Sequence, residues 1–332
     1  MHDEVVTYKG EKKINDWKGK KLNNMDVADS LRRVYENTDK AERYIKVFHC
    51  AMYMDFKKYF EDEIEKLKLH KAFFCKDRLC PMCAWRRSLK IYAQASAVMT
   101  EAVAMGYRFV FLTLTVKNVK SDNLDNTIQE MMRGFGKLRR RTAFTKAFHG
   151  FFRALEITYN RKTDEYHPHF HIILAVKKSY FRSKFYLEQS TIAQMWKESM
   201  NLDYTPIVDI RNFKAATKKE LAKSTAEVAK YTVKDSDYLI RDGQGNIDEE
   251  RTDKVVYTLA EALFNKRLIA WGGILKEIHK KLNLDDAEDG NLIITDQEDE
   301  PGGAFIIVRY RWGVGVASGE LNYYLSEEVI ES

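Results

Sequence analysis

Residues 107–116, YRFVFLTLTV, are apolar, aromatic or β-branched at almost every position, the pattern of a buried strand. A helical stretch follows over 123–149, interrupted at Gly134 and Gly136, then a second strand over 151–159, a short polar turn and a third strand over 168–176. The pattern continues with a helix over 189–200, a fourth strand over 206–210 and a helix from 215 to about 234. This β-α-β-β-α-β order predicts an antiparallel sheet with helices packed on one face. Upstream, Tyr44, Val47, Phe48, Ala51, Met52 and Phe56 recur at near-helical steps and predict a helix over 41–70; an Ala-rich helix over 88–106 ends at a glycine. Residues 1–40 sustain no apolar period beyond 27–34 and are expected to order only on a partner. Downstream, a helix centred on Trp271 is expected over 259–282, and a hairpin over 291–316 turning at QEDEPGG. The class is α+β, in three regions: a helical N-terminal region over 1–105, the sheet core over 106–240 and a C-terminal α/β extension over 241–332.

Composition adds modest constraints. A 45% hydrophobic share supports a proper core, and a net charge of +6 on 332 residues gives a mild attraction to polyanions. Cations cluster at Lys137, Arg139, Arg140 and Arg141, and at Arg86, Arg87 and Lys90. No apolar run reaches the length of a membrane span and the first thirty residues are not signal-like, so a cytoplasmic protein without a membrane partner is expected. Tyr310, Arg311 and Trp312 offer an aromatic and basic face for DNA, though packing is their more ordinary role.

Cys80-Pro-Met-Cys83 has the spacing that lets two thiolates share one tetrahedral zinc, and Cys75 offers a third ligand. Cys50 is the expected fourth, with His49 and His70 as substitutes; a redox pair is the competing reading. The N-terminal region is thus expected to bind a structural zinc, with Arg86 and Arg87 turned toward phosphate.

In HPHFHIIL, His169 and His171 flank Phe170 and project to one face of a strand, a metal-ligand geometry. The plainer alternative is two histidines on a polar sheet face. With a turn centred on Lys162 and Thr163, Glu156 falls opposite His169 and completes a two-His-one-carboxylate group; a one-residue slip would turn it away, leaving His167 as the substitute. Glu227 and Tyr231 stand four apart on one helix face, with Lys230 and Lys234 beside the phenol. Positive charge favours phenolate, which makes Tyr231 a candidate nucleophile on phosphorus, with Tyr238 as competitor.

FLTLTVKN, HPHFHIILAV and EVAKYTVKDSDY, in this order, closely resemble the three motifs of the rolling-circle replication initiators of small Gram-positive plasmids, within the HUH endonuclease superfamily. The subgroup it resembles has one nucleophilic Tyr with a Glu four residues before it, and CKDRLCPMCAWRRS resembles that subgroup's cysteine-rich region. The resemblance spans roughly residues 75–238. It implies an HUH-type core in which His169, His171 and Glu156 hold Mg²⁺ or Mn²⁺, and Tyr231 attacks the nick site of a plasmid double-strand origin, leaving a 5′-phosphotyrosine and a free 3′-OH. It also implies that Glu227 activates water at termination and that Lys234 positions phosphate or steadies the phenolate. Thr113 and Thr115 are candidates for shaping the site, structural roles being equally open. The implied partners are origin DNA, as single-stranded nick site and duplex, and a host helicase and polymerase; a homodimer stays open. The alternatives are an HUH-type transposase or relaxase, and a non-catalytic zinc-containing DNA-binding regulator.

Overall fold

A computed structural model describes residues 17–61, 64–212, 225, 234–295 and 305–329. In chain order its elements are α1 (Trp17–Tyr35), α2 (Glu42–Phe48), β1 (Tyr53–Glu61), β2 (Ile64–Ala72), α3 (Pro81–Ala104), β3 (Tyr107–Thr115), α4 (Ser121–Leu138), α5 (Thr142–Ala147), β4 (Gly150–Asn160), β5 (Glu165–Lys177) and α6 (Gln189–Met200). They continue with β6 (Val208–Asn212), α7 (Asp235–Tyr238), α8 (Glu249–Ala262), β7 (Ile269–Gly273), α9 (Ile274–Lys281), β8 (Phe305–Val314) and β9 (Leu321–Val329). The chain forms two compact units, one from residues 88–238 with 258–290, the other from 1–87 with 239–257 and 291–332, as far as these are described. Among the described residues, no helix is long and apolar enough to cross a membrane.

The first unit holds a five-stranded sheet in the order β6-β3-β5-β4-β7, antiparallel throughout. Its first four strands stand in the order that a split β-α-β-β-α-β chain produces, and β7 adds a fifth beside β4. Strand alternation sorts the side chains. Phe109 and Phe111 of β3, Phe152 of β4, and Ile173 and Ala175 of β5 share one core with Ala95, Val98 and Met99 of α3 and with Leu275 and Ile278 of α9. On the other face, α4 packs on β5 and α6, with Phe135 edge-on to Phe170. Helices therefore cover both faces, not the single face expected, because α3 supplies an apolar stripe of its own. Gly134 permits the close approach of α4 to α6: a Cβ there would stand 2.3 Å from Met200 Sδ.

The second unit departs further from expectation. The helix expected over 41–70 is only α2; after Ala51, in the left-handed region at φ 51°, the chain becomes the hairpin β1–β2. Met52 and Phe56, four apart, fit a helix stripe, but Met54 and Phe56, two apart, share a strand face that pairing of β1 with β8 buries. Residues 17–35 are helical without a partner, since Trp17, Val27, Leu31 and Tyr35 form a buried stripe. The C-terminal hairpin is β8–β9, turning at 315–320, and QEDEPGG lies outside the described residues; in the first unit, Trp271 lies in β7 rather than at a helix centre. Tyr310 and Trp312 are buried, and only Arg311 of that trio is exposed. Most of the helix expected over 215–234 also lies outside the described residues.

Candidate metal centres

β4 and β5 pair so that Glu156 faces His169, the register a turn at Lys162 and Thr163 predicts. Because β3 lies on the other side of β5, Thr113 faces His171 and Thr115 faces His169. These side chains continue the face buried under α3, past the point where its apolar residues end. His171 Nε2 lies 2.7 Å and His169 Nε2 3.4 Å from the same oxygen, Glu156 Oε2. His169 Nδ1 donates to the His167 carbonyl at 3.1 Å, which makes Nε2 the nitrogen that, once deprotonated, would turn a lone pair to a cation. The Thr113 hydroxyl meets His171 Nδ1 at 3.3 Å and orients that ring, whereas the Thr115 hydroxyl donates to the Ile207 carbonyl at 2.8 Å.

Burial alone would raise the Glu156 carboxyl, but the hydrogen bonds and charges of His169 and His171 hold it well below the usual carboxylate range. The group thus presents one anion and two imidazole nitrogens, all within 4.8 Å of one another, and fits a divalent cation with positions left for substrate oxygens. His167, the substitute ligand, instead places Nδ1 2.8 Å from Asn118 Oδ1.

Of the remaining site residues, Glu227, Lys230 and Tyr231 lie outside the described residues. The chain is described on either side of them. Thr225 is buried with its hydroxyl 3.8 Å from Met99 Sδ of α3, and α7 packs on β4. Lys234 is exposed, and Tyr238 is almost wholly buried. Asp237, which the sequence reading passed over, feels the charges of both Lys234 and Glu156; its place in the quoted motif was the available signal.

Cys50, Cys75, Cys80 and Cys83 form a second group, with Cys50 and Cys83 sulfurs 3.5 Å apart and Cys75 and Cys83 sulfurs 3.7 Å apart. Four sulfurs each about 2.3 Å from one zinc would stand about 3.8 Å apart, so the cluster fits a closed tetrahedral site. Cys50 is the fourth member, while His49 and His70 are both exposed. Backbone amides of Cys75 and Lys76 donate to the sulfurs of Cys50 and Cys83. Burial would raise the Cys80 thiol, yet hydrogen bonds from Cys50, Cys75 and Cys83 bring it well below its ordinary value.

Two α1 residues complete the cluster's surroundings, and sequence reasoning missed both. Asn24 Nδ2 donates to Cys80 Sγ at 3.3 Å. The fully buried Lys21 ammonium donates to Asn24 Oδ1 and to the carbonyls of Phe48 and Cys50 at 2.6–2.8 Å. Burial lowers its pKa, and the four cysteine charges oppose that shift. Lys21 and Asn24 stand on one helix face at a three-residue step, a signal hidden because neither is apolar. The cations after the cysteines do not face phosphate: Arg86 and Arg87 are buried on the carbonyls of Leu292 and Lys76, and Lys90 is buried on Asp285.

Comparison with known proteins decides the family. The replication-protein family profile matches residues 66–315. The chain belongs to the Rep replication-protein family. A Rep protein of Bacillus amyloliquefaciens is 43% identical over 95% of each chain, and one of Streptococcus pneumoniae serotype 2 is 36% identical over 90% of this chain and 89% of its own. A replication protein of Staphylococcus aureus is 37% identical over 70% of this chain and 98% of its own. No solved structure matches. The three motifs led to this Rep family, that of plasmid rolling-circle initiators, and both metal-ligand groups fall within or beside the matched span.

Proposed function

We propose that this Rep protein is a site-specific nickase and strand transferase that starts plasmid rolling-circle replication through Tyr231. The observation that carries the reading is the convergence of His169 Nε2 and His171 Nε2 on Glu156 Oε2 in a family of replication proteins. Mg²⁺ or Mn²⁺ held there would polarise the scissile phosphate and offset charge building up on its oxygens. The Tyr231 phenolate attacks phosphorus; the new bond joins its oxygen to the 5′-phosphate, the bond to the 3′ oxygen breaks, and that oxygen takes a proton to become the 3′-OH from which a host polymerase extends. Lys234 lowers the cost of phenolate by its charge. At termination Glu227 accepts a proton from water, whose oxygen replaces a second tyrosine as the attacking group and ends the cycle by hydrolysis. The nuclease core is proposed over 106–240, flanked by the zinc-bearing N-terminal region and the C-terminal extension.

Two features support Tyr231 over its competitor. The chain is anchored before it, at Thr225 on α3, and after it, at α7 on β4, and α3 covers the sheet face that carries the histidines. Tyr238 has 1% of its surface exposed, so its hydroxyl has no path to a phosphate without unpacking. The test uses a supercoiled plasmid carrying the protein's own origin. Wild type should convert it to open circle with Mg²⁺ or Mn²⁺, and Tyr231→Phe should not, while still binding the origin duplex. Glu227→Ala should nick but remain attached to its product. Binding without cleavage by wild type would favour the regulator reading; nicking that survives Tyr231→Phe would remove that residue from the chemistry.

A further inference from the structure

Beyond Thr115 the β3 chain does not keep its register. Thr115 pairs with His169, yet the next paired residue, Val119, meets Tyr166, so an extra residue is accommodated between the two pairs. This is a β-bulge, a device that gives up ladder hydrogen bonds and re-aims side chains. Lys117 and Asn118 lie in it, exposed, immediately beside the candidate metal group. Asn118 meets His167 as described. The Lys117 amide donates to the Tyr204 hydroxyl at 2.9 Å, and its ammonium lies 4.2 Å from the centre of the Tyr204 ring. The neighbouring backbone is pinned, with the Trp196 indole donating to the Thr115 carbonyl at 2.9 Å and the Thr115 hydroxyl donating to Ile207. Ile207 is 79% exposed.

A cation, a ring and an exposed aliphatic side chain are thus held at the edge of the metal group by backbone contacts. Among the described residues Lys117 forms no ion pair, so its charge faces an aromatic ring and solvent rather than a carboxylate. That combination suits a nucleotide: backbone phosphate takes the cation, and any base presents a flat apolar face to the ring.

We propose that Lys117, Tyr204 and Ile207 form a subsite for one nucleotide of single-stranded DNA flanking the scissile phosphate. Lys117 binds the neighbouring phosphate, and Tyr204 with Ile207 carries its base. The subsite grips without reading sequence, since stacking and phosphate contact tolerate every base. The assignment rests on the nuclease reading, because only there does a single strand lie across the histidines.

Fluorescence anisotropy with labelled oligothymidylate of about ten nucleotides, titrated at several salt concentrations, tests it. Lys117→Ala should weaken binding about tenfold and reduce the slope of log affinity against log salt by about 0.7, the signature of one phosphate on a single strand. Lys117→Arg should restore both. Tyr204→Leu should weaken binding about tenfold, and Tyr204→Phe should stay near wild type. Wild-type affinity and slope in both Lys117→Ala and Tyr204→Leu, with unchanged thermal melts, would overturn the subsite. Equal losses on a duplex of the same length would also overturn it, assigning Lys117 to general backbone attraction. Cleavage of a single-stranded oligonucleotide spanning the origin's nick site separates this inference from the nuclease reading: variants should raise KM and keep kcat. Failure of wild type to cut that oligonucleotide would count against the nuclease reading, whereas normal cutting with unaltered KM in both variants would count against the subsite alone.

Discussion

At Glu156, burial and two imidazoles act in opposite directions, and the imidazoles win. Its carboxylate keeps its charge below the usual carboxylate range, and the contribution this makes to folding is lost only as pH falls past that range. Glu156→Gln removes the one anion of the group, so Mn²⁺ affinity measured by calorimetry should drop tenfold or more; equal affinity would exclude Glu156 as a ligand. Asp237 has the reverse sign. Burial raises its pKa, Glu156 adds to the rise, and the charges of Lys234 and Arg161 oppose it, leaving the net shift upward. The folded protein therefore binds that proton more tightly than the unfolded chain does, and ionised Asp237 costs stability at neutral pH. Asp237→Asn should raise the urea midpoint near pH 7, and the difference should vanish below the ordinary value of 3.8. A variant less stable than wild type at neutral pH would contradict this sign.

α1 is tied to the four-cysteine cluster, the candidate zinc site, through Lys21, whose ammonium sits among carbonyls while Asn24 reaches Cys80. Lys21→Met leaves those carbonyls without their donor and the thiolates without a counter-charge, so zinc transfer to a chromophoric chelator should be about ten- to a hundredfold faster. An unchanged rate would reduce Lys21 to a packing role. β7 depends on Gly273, at φ 55°, where a Cβ would stand 2.2 Å from the His149 carbonyl; Gly273→Ala should cost about 1–3 kcal/mol in a thermal melt. The strands from 107 to 177 were legible because apolar runs, one short turn and alternation all agree, and that agreement also places Glu156 across from His169. α1 was not legible, since its buried face includes Lys21, Asn24 and Ser30, which read as solvent-facing. β1 reads as helix because Met52 and Phe56 keep a four-residue step, and the pairing with β8 that buries Met54 and Phe56 on one strand face cannot be seen from local sequence. Trp271 was mistaken for a helix centre because β7 is five residues long, too short to show alternation.

For the whole molecule, two metal-ligand groups with different donors should separate in solution. A closed sulfur site holds its ion tightly, while the open nitrogen and oxygen site exchanges readily. Brief EDTA treatment should abolish origin cleavage and leave the bound zinc in place, and added Mn²⁺ should restore cutting; cleavage that persists without exchangeable metal would contradict the two-histidine centre. The measurement that bears most directly on the central claim is mass spectrometry of the peptide left attached to a nicked single-stranded origin oligonucleotide. The expected result is one tryptic peptide carrying a 5′-phosphotyrosine at Tyr231, absent when His169 and His171 are replaced. An adduct at Tyr238 or elsewhere, or cleavage with no covalent adduct, would contradict it.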